Sequence, residues 1–149
     1  SPYADATMGY FDLDDDVGAW FMPYVKTFSR LGIMVGYPDR TMRPERTMTT
    51  AELYVSFFKA ALLAPNNIAR FQIDGRVDFA PYKDTPLDAI HYWYLPSAQL
   101  AKLNGLVTGT RFYPERGITR GQVIELIYDT HRKGMIIYDG GVWRDGTAR

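Results

Sequence analysis

Residues 31–52 read LGIMVGYPDRTMRPERTMTTAE. The stretch opens like the end of one helix, at Leu31-Gly32, and closes like the start of another, at Thr49-Thr50-Ala51-Glu52. A Thr followed three residues later by Glu is the signature of a capping box. In it the hydroxyl accepts from the third amide, and the acid reaches back to the cap amide. Between these ends lies a turn rich in glycine, proline and arginine. Whether it only joins two helices or also forms a surface that holds something is decided by searching for a second copy.

A second copy exists. Trp20-Phe21-Met22-Pro23 returns as Trp93-Tyr94-Leu95-Pro96, and Gly32 and Gly36 return as Gly105 and Gly109 at the same offset of 73. After a three-residue deletion, Pro44, Met48, Thr49 and Glu52 match Pro114, Ile118, Thr119 and Gln122. Upstream, Phe11-Asp12 corresponds loosely to Lys83-Asp84.

Each copy reads as helix, loop, helix. Pro23 suits a first helical turn, with Tyr24, Val25, Phe28 and Leu31 following at helical spacing. Thr49 caps the next helix, whose buried stripe is expected to be Leu53, Phe57, Ala60 and Ala61, with Pro65 as its stop. In the second copy, residues 94–104 form the first helix, and Thr119 with Gln122 caps a helix that turns Val123, Leu126 and Ile127 inward. Residues 71–79 and 135–143 alternate around Asp-Gly turns, a strong hairpin signal. The expected fold is therefore mainly α: two helix-loop-helix repeats, residues 1–80 and 81–149, each followed by a short β-hairpin, packed as one compact unit.

The order of Asp after an aromatic, Trp, Leu-Gly-Ile, Gly-Tyr-Pro-Asp, Arg-Pro and Thr-x-Ala-Glu resembles the S-layer homology repeat, from Phe11 to about Leu63 and again from Tyr82 to about His131. The resemblance implies a non-catalytic module that attaches a protein to bacterial cell-wall polysaccharide, on the extracellular surface or in the wall. It also implies grooves between repeats and an anionic glycan met by the arginine of a Thr-Arg-Ala-Glu motif. Here Thr50 stands where the first copy would have that arginine, and the second copy reads Thr119-Arg120-Gly121-Gln122. The glycan-binding candidates are Arg120, Asp84, Trp93, Asp12, Trp20, Gly36 and Gly109, with Thr49, Glu52, Thr119 and Gln122 as structural caps. An arginine at a helix start is aided by the dipole and the free amides. Trp20 and Trp93 are expected to pack on their own repeats, although an exposed indole also suits a sugar ring.

Other classes are set aside on composition and motif. Seventeen basic and seventeen acidic residues cancel, which does not suggest a nucleic-acid binder. No run approaches the length of a membrane span, and zero cysteines exclude disulfides and thiolate chemistry. Eleven tyrosines suit wet contact surfaces as well as cores. No nucleophile elbow or phosphate loop is present, so no enzyme is expected. Asp12, Asp14 and Asp16 have the look of a calcium loop, but Val17 and Pro23 occupy the positions that need Gly and Glu, so calcium is a minor expectation and no cofactor is required. His91 and His131 have no ligand-spaced partner, so no metal site is expected. A start at Ser1 fits signal removal or a trimmed chain. The alternative function is a structural subunit that self-assembles into an S-layer, lattice or filament through repeat faces and hairpin edges.

Overall fold

Two prolines and two threonines set where the helices begin. A computed structural model describes residues 7–16, 18–63, 71–73, 79–135, 137–139 and 142–144. A 3-10 segment, Phe11–Asp16, precedes α1, Met22–Arg30. Then follow α2, Thr50–Ala61, α3, Leu95–Leu103, and α4, Arg120–Arg132. Helices α1 and α3 lack a side-chain cap and carry Pro23 and Pro96 in their first turns, where no intrahelical amide is needed. Helices α2 and α4 each begin with a complete capping box. The Glu52 amide donates to Thr49 Oγ1 at 3.2 Å and the Thr49 amide to Glu52 Oε1 at 3.3 Å. The Thr119–Gln122 pair repeats this at 3.1 and 2.8 Å. A cap of this kind is worth about 1 kcal/mol.

Strand β1, Ile137–Asp139, pairs antiparallel with β2, Val142–Arg144, placing Tyr138 opposite Trp143. The Asp74-Gly75 turn expected for an earlier hairpin lies outside the described residues, and its flanks at 71–73 and 79 carry no strand.

The chain divides into two compact units, residues 1–46 and 47–149. Helix α2, which follows the first connector in sequence, belongs to the second. The first unit is built around Tyr10, Leu13, Met22, Val25 and Met42, with Tyr10 Oη hydrogen-bonded to Ser29 Oγ at 3.1 Å.

The second unit has an aromatic core. Phe112 stacks on Tyr82 at 5.4 Å between centroids and meets Tyr54 at 5.3 Å, while Phe58 meets Phe71 at 5.7 Å. Each buried Phe contributes roughly 2–3 kcal/mol through the apolar area it removes from water. Buried Asn104 at the end of α3 pins the 71–73 segment: its side chain accepts from the Gln72 amide at 2.7 Å and donates to the carbonyls of Gln72 and Leu100. Lys133, just past α4, donates to the Asn104 carbonyl at 2.8 Å.

Several burial expectations are corrected. Helix α2 buries Ala51, Tyr54, Phe58 and Ala61, while Leu53 and Phe57 are only half-buried and Ala60 is exposed. Its face is turned by one residue, because α3 packs on that side. On α4, Leu126 is buried, but Ile127 is exposed. Both tryptophans lie against neighbours in their own segments but leave much of the indole in solvent: Trp20 is 81% exposed and Trp93 is 53% exposed. Trp20 touches Phe21 and Tyr24 edge-on, and Trp93 touches Tyr94 in the same way.

Two substitutions check this packing. Gly36 has φ +74°, and a Cβ there would lie 2.6 Å from Tyr10 Cε1 and 2.7 Å from the Thr41 carbonyl. Gly109 has φ +91° but open space around it. Gly36→Ala is expected to cost about 3 kcal/mol, against about 1 kcal/mol for Gly109→Ala, where only the left-handed backbone is strained. Denaturant unfolding of the two variants measures the difference. Tyr94 is buried, and its hydroxyl has no hydrogen-bond partner among the described residues. Tyr94→Phe is therefore expected to leave stability unchanged or raise it by about 1 kcal/mol, read as a higher thermal midpoint.

Candidate functional site

The connectors of the two units are built alike, around a carboxylate that collects two successive backbone amides. In the first, Asp12 Oδ1 accepts from the Met42 amide at 2.8 Å, and Oδ2 accepts from Arg43 at 2.6 Å. In the second, the Asp84 oxygens accept from Phe112 and Tyr113, both at 2.8 Å. The second amide of each pair belongs to a non-glycine residue in the left-handed region, Arg43 at φ +53° and Tyr113 at φ +54°. Successive amides around such a residue form a concave anion nest, and here the aspartate fills it. Left-handed backbone costs about 1–2 kcal/mol, whereas each hydrogen bond to a charged acceptor returns about 1.5–3 kcal/mol. The clamp therefore outweighs the strain.

The rest of the first connector is braced by side chains. Asp39 accepts from the Thr41 hydroxyl at 2.6 Å and from Arg43 at 2.9 Å. The Thr41 and Arg43 bonds hold its carboxyl below the usual range. The Arg43 guanidinium also lies over the Tyr37 ring, 3.9 Å from its centroid.

The first connector borders an open hollow of about 320 Å³ lined by Asp12, Asp16, Arg43, Pro44, Glu45 and Arg46. In the second unit the connector borders a groove of about 250 Å³, walled by the N-terminal halves of α2 and α4 and by residues of the 106–118 segment. Arg111 and Arg116 bring positive charge to it, and Thr50, Gln122 and Glu125 bring polar groups. Burial, with the nearby charges of Glu125 and Asp129, pushes the Tyr54 hydroxyl up to about 12, so it stays protonated as part of the lining. Arg116 lies over the Tyr113 ring at 3.9 Å. Among the described residues, neither Arg111 nor Arg116 is paired with a carboxylate.

The two capped helix starts differ. At α2 the Thr50 amide donates to the Arg116 carbonyl at 2.8 Å and the Ala51 amide to the Pro114 carbonyl at 3.0 Å. Thr50, only 5% exposed, adds a hydroxyl bond to the Arg116 carbonyl at 3.0 Å. That helix start is closed. At α4 the Arg120 and Gly121 amides have no protein acceptor among the described residues, and both residues are exposed. That start is open.

The candidate residues thus fall into separate places. Arg120 stands exposed at the open start of α4, two residues before Gln122 of the groove lining. Asp12 and Asp84 spend both oxygens on connector amides. Gly36 allows the chain to pass Tyr10, and the Gly109 carbonyl accepts from Lys102 at 3.2 Å. Trp20 and Trp93 present exposed indoles on their respective units. Asp12, Asp14 and Asp16 form no metal-holding group, nor do any three His, Asp or Glu residues among those described. Sequence reasoning missed Arg111, Arg116 and the bonds by which Thr50 joins the start of α2 to the Arg116 carbonyl. The available signal was Arg111-Phe112 standing where the first copy has Thr41-Met42.

Comparison with known proteins bears on this geometry. Residues 14–53 match the S-layer homology domain, a span that lies within the first copy. The chain is 31% identical over 83 residues to a cellulosome-anchoring protein of Acetivibrio thermocellus; the match covers 55% of this chain and 19% of that protein. No solved structure matches the chain significantly. Among the described residues, no helix is long and apolar enough to cross a membrane. The first copy is thus similar to the S-layer homology domain along the segment that runs from the 3-10 turn into α2.

Proposed function

We propose that this chain is part of a non-catalytic surface module that attaches to bacterial cell-wall polysaccharide, and that residues 82–131 are a second, divergent S-layer homology repeat. The match over residues 14–53 and the anchoring relative support the first part. The paired carboxylate clamps, the left-handed residues at Arg43 and Tyr113, and the two capping boxes support the second. The observation that carries an anionic glycan as ligand is the open start of α4. Arg120 is exposed there and the amides of Arg120 and Gly121 have no acceptor among the described residues, whereas the start of α2 is closed by the carbonyls of Arg116 and Pro114. The helix dipole favours an anion at that position, and an arginine adds charge-assisted hydrogen bonds. Exposed Trp20 and Trp93 offer flat faces to sugar rings, and Asp12 and Asp84 hold the connectors in shape. The module works at the cell surface or in the wall and needs no cofactor.

A second reading, self-assembly into a surface lattice, is favoured by one observation. The β1–β2 pair is a two-stranded sheet among the described residues, and such a sheet gains from a further strand. Light scattering separates the readings: a mass that stays at one chain across concentrations opposes assembly, and growing particles favour it.

Co-sedimentation with purified wall polysaccharide tests the first reading. The native chain is expected to bind, with and without a calcium chelator, and Arg120→Ala to bind roughly ten- to hundredfold more weakly, the loss of one charge-assisted contact. Equal binding by native and variant chains removes Arg120 from the account. No binding by the native chain removes the glycan.

A further inference from the structure

Inside the second unit, α2 is joined to the elements of the second repeat by two kinds of contact. Its Thr50 and Ala51 amides donate to the carbonyls of Arg116 and Pro114. Its Ala51, Tyr54, Phe58 and Ala61 share one core with Ala98 and Ala101 of α3. Helix α4 carries the same half of this junction without its mate. There Gly121, Ile124, Tyr128 and His131 stand where α2 has Ala51, Tyr54, Phe58 and Ala61. Tyr54 and Phe58 are 8% and 3% exposed, whereas Ile124 and Tyr128 are 67% and 62% exposed, one turn apart on one helix face. The Arg120 and Gly121 amides, in the places of Thr50 and Ala51, have no acceptor among the described residues.

The complementary half belongs to the first unit. Its connector has the shape of the second: the Asp12 clamp and left-handed Arg43 match the Asp84 clamp and left-handed Tyr113. The next turn matches too, with the Arg46 amide donating to the Arg43 carbonyl at 3.1 Å and Arg116 to Tyr113 at 3.0 Å. The Pro44 and Arg46 carbonyls are therefore presented as those of Pro114 and Arg116 are, yet no donor reaches them among the described residues. On α1, Tyr24 and Leu31 are exposed where α3 and its C-cap bury Ser97 and Asn104. Charge agrees with the match. Asp16 and Glu45 line the hollow beside Pro44 and Arg46 and make no ion pair among the described residues, while Arg43 is already paired with Asp39. Arg120 is the cation that α4 brings to such a contact. We infer that a second molecule of this protein docks head to tail on α4. Its α1 covers Ile124 and Tyr128, and its Arg46 and Pro44 carbonyls accept from the Arg120 and Gly121 amides. The contact is heterologous, so it builds rings or open chains. The inference rests on the second-repeat reading above and not on the glycan, with which a docked partner competes for the start of α4.

Light scattering on size-separated protein tests it with two variants, each checked for a native circular dichroism spectrum. Ile124→Glu/Tyr128→Glu spoils the α4 half, and Tyr24→Glu/Leu31→Glu spoils the α1 half; all four side chains are exposed. The native chain is expected to gain mass with concentration, to two or more chains per particle, and each variant to stay at one. An equal mixture of the two variants is expected to form particles of two chains and no larger, because only one native junction is left between them. A native chain that stays single at every concentration overturns the inference. So does association of either variant at the native level, which is the result that growth through the β1–β2 edge gives. Mixed variants that stay single while the native chain associates overturn the head-to-tail arrangement. None of these outcomes touches the carboxylate clamps and capping boxes that support a second repeat, and co-sedimentation decides the glycan separately.

Discussion

One carboxylate gripping two consecutive amides shapes each connector of this protein. Asp12 does it to Met42 and Arg43, and Asp84 to Phe112 and Tyr113. Without that grip, a left-handed arginine or tyrosine has no reason to persist, since it costs about 1–2 kcal/mol and extended alternatives are open. The first residue of each pair, Met42 or Phe112, is buried in its unit's core, and the second is exposed. The clamp thus sends one side chain inward and the next outward. Core packing and surface chemistry share one hinge.

In the second unit that hinge organises everything nearby. Phe112 enters the stack with Tyr54, Tyr82 and Tyr94, and Tyr113 turns out to carry Arg116. A few residues on, the carbonyls of Pro114 and Arg116 close the start of α2, and Thr49 pairs with Gly117 as an isolated bridge. The same loop therefore completes a helix, borders a groove and supplies its charge. The first unit's connector has the same clamp and pairs Arg43 with Asp39.

The punctuation of this fold was legible in the sequence, because it is chemically local. Thr-x-x-Glu and Thr-x-x-Gln mark helix starts through bonds between residues three apart, and Pro23 and Pro96 mark the other two. The buried face of α2 was less legible. Leu53, Tyr54, Val55, Phe57 and Phe58 are apolar around much of the helix, so periodicity alone does not choose between neighbouring faces. Exposed Trp20 and Trp93 defied the usual fate of large apolar side chains. The groove was hidden for a different reason. It depends on Thr50 meeting Arg116 across 66 positions of chain, a contact no local pattern announces. Asp12 and Asp84 were singled out as ligand contacts, and their geometry gives them a task within the chain itself.

Native-state hydrogen exchange at the backbone amides of Phe112 and Tyr113 tests the clamp most directly. Tyr113 is exposed and lies in a loop, where an unbonded amide exchanges freely. If Asp84 holds both amides, they exchange as slowly as amides inside α4, and Asp84→Ala releases both together. Fast exchange of the two in the native chain, or protection that survives Asp84→Ala, contradicts the account.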